Sequence, residues 1–112
     1  MEDTRITFET AKLAKEKGFN KVLSYHYDKT GFIQNVTTNN EKLDYGYSAP
    51  TQSLLAKWLR EEHNIHLIAY KNINIDGYDW CYITTDGITN INSYKTYEEA
   101  YEIGLQEALK LI

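Results

Sequence analysis

Residues 66–94 read HLIAYKNINIDGYDWCYITTDGITNINSY, and this stretch decides the fold. It contains two Asp-Gly pairs, Asp76-Gly77 and Asp86-Gly87, each placed between extended runs rich in isoleucine and tyrosine. Asp-Gly between such runs is the strongest short-range signal for a β-hairpin, because a type I′ turn needs positive φ at both central residues. The stretch therefore predicts a three-stranded antiparallel meander.

Two-residue turns at both pairs also predict the register of the meander, with Ile73 opposite Trp80 and Tyr82 opposite Ile91. Side chains alternate between the two faces of a strand, so one face is predicted to belong to the core. The residues of that face are Leu67, Ala69, Ile73, Ile75, Tyr78, Trp80, Tyr82 and Ile91. The opposite face is predicted to be polar near the first turn, with a small apolar group at its other end. The members of that group are Ile68, Ile83 and Ile88.

Three amphipathic helices are predicted around the meander. They cover residues 8–17, 51–63 and 97–111. Thr7 and Thr96 are the expected N-caps of the first and third helices, and Pro50 precedes the second. Gly104 interrupts the apolar band of the third helix, which predicts the close approach of another element at that point.

A second hairpin is predicted between the first two helices, from residues 22–27 and 32–38 around the turn at 28–31. Residues 39–47 are predicted to form an irregular loop, with a short strand near 43–47. Whether this hairpin joins the meander or packs over its Ile68 end stays open at this point. The predicted fold is one α+β domain over residues 1–112. Its antiparallel meander and N-terminal hairpin pack against three helices in the order α-ββ-α-βββ-α.

Composition points to a soluble globular chain. Of its 112 residues, 42% are hydrophobic and 25% are charged, which are ordinary values for one domain. The longest apolar run, residues 67–70, is far shorter than the about 20 residues of a membrane-spanning helix. No signal peptide is visible, and the single cysteine, Cys81, excludes an internal disulfide. We expect a cytoplasmic protein with no membrane partner.

The charge disfavours nucleic acid as a partner. The formal net charge is −4, and only Arg5 and Arg60 among the twelve basic residues are arginine. The lysines of the first helix alternate with Glu9 and Glu16 and form no basic stripe. A nucleic-acid-associated accessory factor is therefore the alternative rather than the favoured function.

No group of residues predicts catalysis. His63 and His66 have a spacing seen in metal sites, but a histidine at a helix C-terminus is favoured by the helix dipole without a metal. Cys81, His66 and Asp79 share a predicted sheet face, yet His66 is expected beyond the end of the paired region. We expect no enzymatic activity, no cofactor and no metal.

An excess of tyrosine and asparagine points to interaction with other proteins. The chain has ten tyrosines and nine asparagines, more than one small core needs. Tyrosine is enriched in interfaces because it offers amphipathic contact area at low entropy cost. The candidate interaction surface comprises Tyr25, Tyr27, Tyr45, Tyr47, Tyr70, Asn72 and Asn74. The expected partner is another protein or a second copy of the chain, as a homodimer.

Three segments carry a resemblance to a known group of proteins. They are YSAPTQSLLAKWLREEHNIHL at 47–67, ITFETAKLAKEKGF at 6–19 followed by YHYD, and YKTYEEAYEIGLQEALKLI at 94–112. The chain resembles small proteins encoded by phages and prophages of Bacteroidetes. This resemblance implies a phage-related accessory protein of the bacterial cytoplasm, and it assigns no catalytic or binding residue.

Overall fold

The computed structural model describes residues 4–43, 45–74 and 76–112. They form three α-helices and two three-stranded antiparallel sheets, which confirms the α+β class and the order of the predicted elements. The chain divides into two compact units, Met1–Thr51 and Gln52–Ile112. The expectation of one domain over residues 1–112 stays a prediction. No helix within the described residues is long and apolar enough to cross a bilayer.

The first unit begins with helix α1, Phe8–Glu16, whose two ends are capped as the sequence predicts. Thr7 Oγ1 accepts a hydrogen bond from the Thr10 amide at 3.4 Å. The helix ends where Gly18 adopts a φ of +97°, a conformation that glycine tolerates best. The Phe19 amide then donates to the Ala14 carbonyl at 3.0 Å, and the Phe19 side chain is buried.

The sheet of the first unit is formed by β1, His26–Tyr27, β2, Ile33–Gln34, and β3, Tyr47–Ser48, in the order β2-β1-β3. The predicted hairpin is present, but each of its strands is only two residues long. An isolated bridge between Leu23 and Thr38 continues it. The hairpin pairs with β3, so it joins a sheet separate from the meander.

Asn40 connects the elements of the first unit, and sequence reasoning missed this role. It begins a short 3₁₀ helix, Asn40–Lys42, and its side chain is buried. Asn40 Nδ2 donates to the Phe19 carbonyl, and Asn40 Oδ1 accepts from the Ser48 amide, both at 2.7 Å. The Asn40 side chain therefore makes hydrogen bonds both to the chain that follows α1 and to strand β3.

The second unit contains α2, Gln52–His63, the strands β4, His66–Asn72, β5, Gly77–Thr84, and β6, Gly87–Tyr94, and α3, Tyr97–Leu109. The strands pair in the order β4-β5-β6, so the predicted meander is confirmed. At the start of α3, Thr96 Oγ1 accepts from the Glu99 amide at 3.1 Å, as predicted. Helix α3 ends at Leu109, two residues before its predicted end.

The predicted register of the first turn is wrong. Ala69, not Ile73, lies opposite Trp80, and the turn follows Asn72, which lies opposite Gly77. The cause is local: Asn72 Oδ1 accepts from the Asn74 amide at 2.9 Å, so the asparagine starts the turn before the Asp-Gly pair is reached. Ile73 was predicted in the core and is 92% exposed. Ile75, also assigned to the core face, lies outside the described residues.

The second turn is also displaced, by one residue. Its two loop residues are Thr85 and Asp86, with Thr84 opposite Gly87. Positive φ falls on Gly87, at +124°, and not on Asp86, so the turn is not the expected type I′ turn centred on Asp-Gly. Trp80 therefore lies opposite Ile91 in the ladder, although the side chain of Ile91 lies outside what the structure describes.

As far as the register shift between Tyr78 and Trp80, both displacements move the strand partners by an even number of residues, so the predicted face of Trp80 and Tyr82 survives. Trp80 is fully buried, and the ring of Tyr82 stacks on it with 5.7 Å between ring centroids. Helix α3 packs on this face at Gly104. A Cβ at residue 104 would lie 2.8 Å from Leu67 Cδ1 and 3.1 Å from Trp80 Cγ, which confirms the predicted close approach.

Helix α2 completes the core of the second unit. Leu55 and Leu59 are fully buried, and the helix packs on both α3 and β4. At its start Gln52 Nε2 donates to the Glu98 carbonyl at 2.9 Å and to Glu102 Oε1 at 3.0 Å. Helices α2 and α3 therefore cover the Trp80 face of the meander, as the sequence predicts.

Candidate interaction surface

The sheet face that points away from α3 is the candidate site, and we call it the outer face. Because side chains alternate along each strand, it carries the residues between those that contact α3. Its members are His66, Ile68 and Tyr70 on β4, Asp79, Cys81 and Ile83 on β5, and Ile88 on β6. The register orders them in rows across the strands, from an apolar end to a polar end.

The apolar end is the predicted group of three isoleucines. Ile83 and Ile88 lie directly opposite each other, and Ile68 lies in the next row, opposite Cys81. Ile68 is 46% exposed and Ile88 is 65% exposed, while Ile83 is half-buried. Neighbours on one face of a sheet lie close enough to present a continuous surface. The group is therefore an apolar patch that faces solvent.

The polar end is built around Asp79. Asn72 Nδ2 donates to Asp79 Oδ2 at 2.8 Å, and Tyr70 lies opposite Asp79. Desolvation of the phenol and the negative charge of Asp79 raise the pKa of Tyr70 above its ordinary value. Tyr70 therefore keeps its proton at physiological pH and offers a neutral hydroxyl beside a carboxylate.

The thiol on the outer face is not activated. Cys81 is buried, and desolvation raises the pKa of its thiol. His66 lies inside the paired region, opposite Ile83, which corrects the expectation that it lies beyond the strand end. Its Nε2 atom instead contacts Asn64 Oδ1 at 3.3 Å. A catalytic cysteine needs a lowered pKa, so this geometry does not support nucleophilic chemistry.

The two histidines near the end of α2 do not form a metal site. The His63 ring packs on Trp58 with 4.7 Å between ring centroids, while His66 contacts Asn64. Across the described ranges, no three His, Cys, Asp or Glu side chains come together in a way that could hold a metal ion. His63 therefore combines a helix C-terminal position with an aromatic contact.

The tyrosines of the first unit fall into two groups. Tyr27 and Tyr47 each pack edge-on against Phe8, with 5.6 Å between ring centroids, and Tyr27 Oη donates to the Ile6 carbonyl at 2.6 Å. These two tyrosines hold the unit together. Tyr25 and Tyr45 are exposed.

Each exposed tyrosine has a cation near its ring. The Arg5 guanidinium lies 4.4 Å from the ring centroid of Tyr25, and Lys29 Nζ lies 5.8 Å from that of Tyr45. In the second unit, Tyr70 and Asn74 are exposed and Asn72 is half-buried. The interaction role of all seven residues stays a prediction.

An exposed apolar segment at β2 was missed by sequence reasoning. Phe32, Ile33 and Val36 are all exposed, and β2 is an edge strand of its sheet. The signal was present in the sequence, because the segment has three large apolar residues and no charge.

Comparison of the chain with protein-family models, with curated proteins and with solved structures finds no match. No residue role can therefore be transferred from a relative. The candidate site depends on its geometry: an apolar patch, a polar end and a rigid sheet beneath both.

Proposed function

We propose that the chain is a non-enzymatic interaction module that binds a protein partner through the outer face of the β4–β6 sheet. The observation that supports this function is the exposure of Ile68 and Ile88 beside Ile83 on one continuous sheet face. A contiguous apolar patch at the surface of a small protein often marks an interaction site. Binding would remove these side chains from water.

The arrangement matches the general design of protein interfaces, in which an apolar centre is bordered by polar groups. The isoleucines supply the centre, and Tyr70 and Asp79 supply donors and acceptors at one side. Isoleucine is stiff at χ1 and the strands are hydrogen-bonded on a packed core. Little side-chain entropy is therefore lost when a partner binds.

Two further observations favour this function over its alternatives. The raised pKa of Cys81 and the contact of His66 with Asn64 disfavour an enzyme at the outer face. The net charge of −4 disfavours a nucleic-acid-associated factor, whose binding would depend on released counterions.

The biological setting is part of the proposal. The resemblance of residues 6–19, 47–67 and 94–112 to small Bacteroidetes phage and prophage proteins supports a phage-related accessory role. The single cysteine fits the reducing bacterial cytoplasm. The expected partner is accordingly a phage or host protein of that compartment.

Partner capture tests the outer face. The wild-type chain, immobilised as bait, is compared with Ile68→Lys and with Ile73→Lys in extracts of a phage-carrying Bacteroidetes host. Ile73→Lys is the matched control. It makes the same substitution in the same meander, but Ile73 lies in the turn between β4 and β5 and is more exposed than Ile68. Ile68→Lys is expected to lower capture of a specific partner by roughly tenfold, because it places a charge in the apolar centre. Ile73→Lys is expected to leave it unchanged.

Several results would contradict the proposal. Equal capture by all three baits would show that the outer face is not the binding surface. Recovery of nucleic acid, with affinity that falls steeply as salt rises, would favour the alternative function. Circular dichroism of each bait checks that the substitutions leave the fold intact.

A further inference from the structure

Strand β6 forms an open edge of the meander. Its eight residues, Gly87–Tyr94, exceed the usual strand length of about five or six. Within the part of the chain that the structure describes, β6 pairs with β5 on one side and with no strand on the other. Such an edge presents a row of backbone N–H and C=O groups that can pair with another strand.

The edge of β6 lacks two of the features that usually prevent pairing, although its ladder with β5 contains a register shift between Tyr78 and Trp80. Residues 87–94 contain no charged side chain and no proline. The opposite edge of the same sheet, β4, carries Lys71, which is half-exposed and whose Nζ lies 3.4 Å from Asp76 Oδ1, and also the exposed His66. Lysine on an edge strand opposes strand addition. The two edges therefore differ in charge: β4 carries a lysine, and β6 carries no charged residue.

Charges flank β6 in an order that selects its partner. Asp86 directly precedes the strand and Lys95 directly follows it, and both residues are exposed. When two copies of one strand pair antiparallel about a two-fold axis, the start of each strand lies beside the end of the other. Asp86 of each copy then lies near the partner's Lys95. A parallel pair would instead place like charges together.

We propose that two copies of this chain pair antiparallel through β6 and form one continuous six-stranded sheet. The new ladder satisfies the backbone groups of both edges, the uncharged strands do not repel each other, and each end gains a pair of opposite charges. Helix α3 and the outer face lie on the two sides of the sheet rather than at its edge. The inference is therefore independent of the proposed function, because both outer faces stay open in the dimer.

The oligomeric state of the full chain tests this pairing. Sedimentation equilibrium over a range of concentrations is expected to give a species of twice the chain mass of 13.1 kDa. Thr89→Lys puts a charge at an exposed position of β6 and is expected to raise the dissociation constant of the dimer by roughly tenfold or more. Ile68→Lys adds the same charge to β4 and should leave the dimer intact.

A monomeric wild-type chain at every concentration would overturn the proposal, and so would a dimer that Thr89→Lys does not weaken. The same variants separate this inference from the proposed function. Ile68→Lys should lose partner capture and keep the dimer, whereas Thr89→Lys should lose the dimer and keep partner capture.

A charge exchange tests the antiparallel direction. Asp86→Lys and Lys95→Asp are each expected to weaken the dimer, because each single change places like charges at both ends of the paired strands. The double variant carrying both changes restores opposite charges and is expected to regain the wild-type dissociation constant. A merely structural role of either residue would not be rescued in this way. Lack of rescue would overturn the antiparallel arrangement.

Discussion

Gly104 is a residue whose size the packing constrains closely. It lies in the middle of α3, where glycine costs about 1 kcal/mol of helix propensity relative to alanine. The helix tolerates this cost because Leu67 and Trp80 occupy the space that a methyl group would need. Helix propensity alone would favour alanine, and core packing reverses that preference.

Gly104→Ala is therefore expected to destabilise the protein. Overpacking typically costs about 1–3 kcal/mol, and because the Trp80 ring lies only 3.1 Å from the added Cβ, we expect this cost to exceed the gain of about 1 kcal/mol in helix propensity. Urea unfolding followed by circular dichroism measures the change. Adding Leu67→Ala to Gly104→Ala should remove the closest contact, so the two changes should be non-additive. A Gly104→Ala protein more stable than the wild type would contradict the packing argument.

Asn40 has a similar role for hydrogen bonding in the first unit. Asn40→Ala would remove the two buried hydrogen bonds that the Asn40 side chain makes with the Phe19 carbonyl and the Ser48 amide, and the expected loss of stability is about 1–3 kcal/mol. Hydrogen exchange of the Ser48 amide should accelerate in the same variant. Asn20→Ala is the matched control, since Asn20 is exposed and its side-chain Nδ2 donates a hydrogen bond to Glu41 Oε2 at the surface. Equal stability of the two variants would contradict the role of Asn40.

At the scale of elements, the two hairpins show how turn side chains set strand ends. In the first unit, Asp28 Oδ1 accepts from the Thr30 amide at 2.9 Å, from Thr30 Oγ1 at 2.6 Å and from the Phe32 amide at 3.1 Å. Its other oxygen, Oδ2, accepts from Gln34 Nε2 at 3.0 Å. This one carboxylate organises the whole loop between β1 and β2. In the meander, Asn72 has the corresponding position before the first turn.

The Asp28 carboxylate should make the first hairpin sensitive to acid. Hydrogen bonds from the Thr30 hydroxyl and the Phe32 amide are the main cause that lowers the pKa of Asp28 from 3.8 to about 2. Because the folded pKa lies below the unfolded value, this contribution to stability is complete above pH 4. It is lost as the pH falls through 2. NMR titration of the Asp28 carboxyl carbon measures the midpoint.

Asp28→Asn is the control for that titration. It keeps one side-chain oxygen acceptor and removes the titrating group, so the change in the hairpin signals between pH 4 and 2 should disappear. A midpoint near 3.8 in the wild-type chain would show that the loop hydrogen bonds do not favour the charged carboxylate in solution.

Sequence patterns predicted the positions of the helices better than the register of the strands. Helices were predicted to within about two residues because their apolar spacing and N-caps are local signals, as at Thr7 and Thr96. The strand register was predicted incorrectly, because two turn signals compete within a few residues, one at Asn72 and one at Asp76-Gly77. Only the pairing of whole strands decides between them. The faces were still correct, since an exposed Trp80 would cost far more than a displaced turn.

For the whole molecule, the outer face and the β6 edge are two different surfaces of the second unit. The outer face offers an apolar patch to a partner protein, and the β6 edge offers backbone groups to a second copy. Ile68 and Thr89 lie on opposite edge strands, so a lysine at either position changes one surface and leaves the other. The partner-capture and sedimentation experiments therefore test the two surfaces separately.

Local sequence patterns were enough to predict the α+β class, the helices, the meander and the sheet face on which Trp80 is buried. These features depend on periodicity and caps, which act over a few neighbouring residues. The tertiary structure was needed for the strand register, the pairing of β3 with the first hairpin, the role of Asn40 and the exposure of Ile73 and Phe32. Each of these depends on which distant segment covers or hydrogen-bonds a residue, and no local pattern of side chains contains that information.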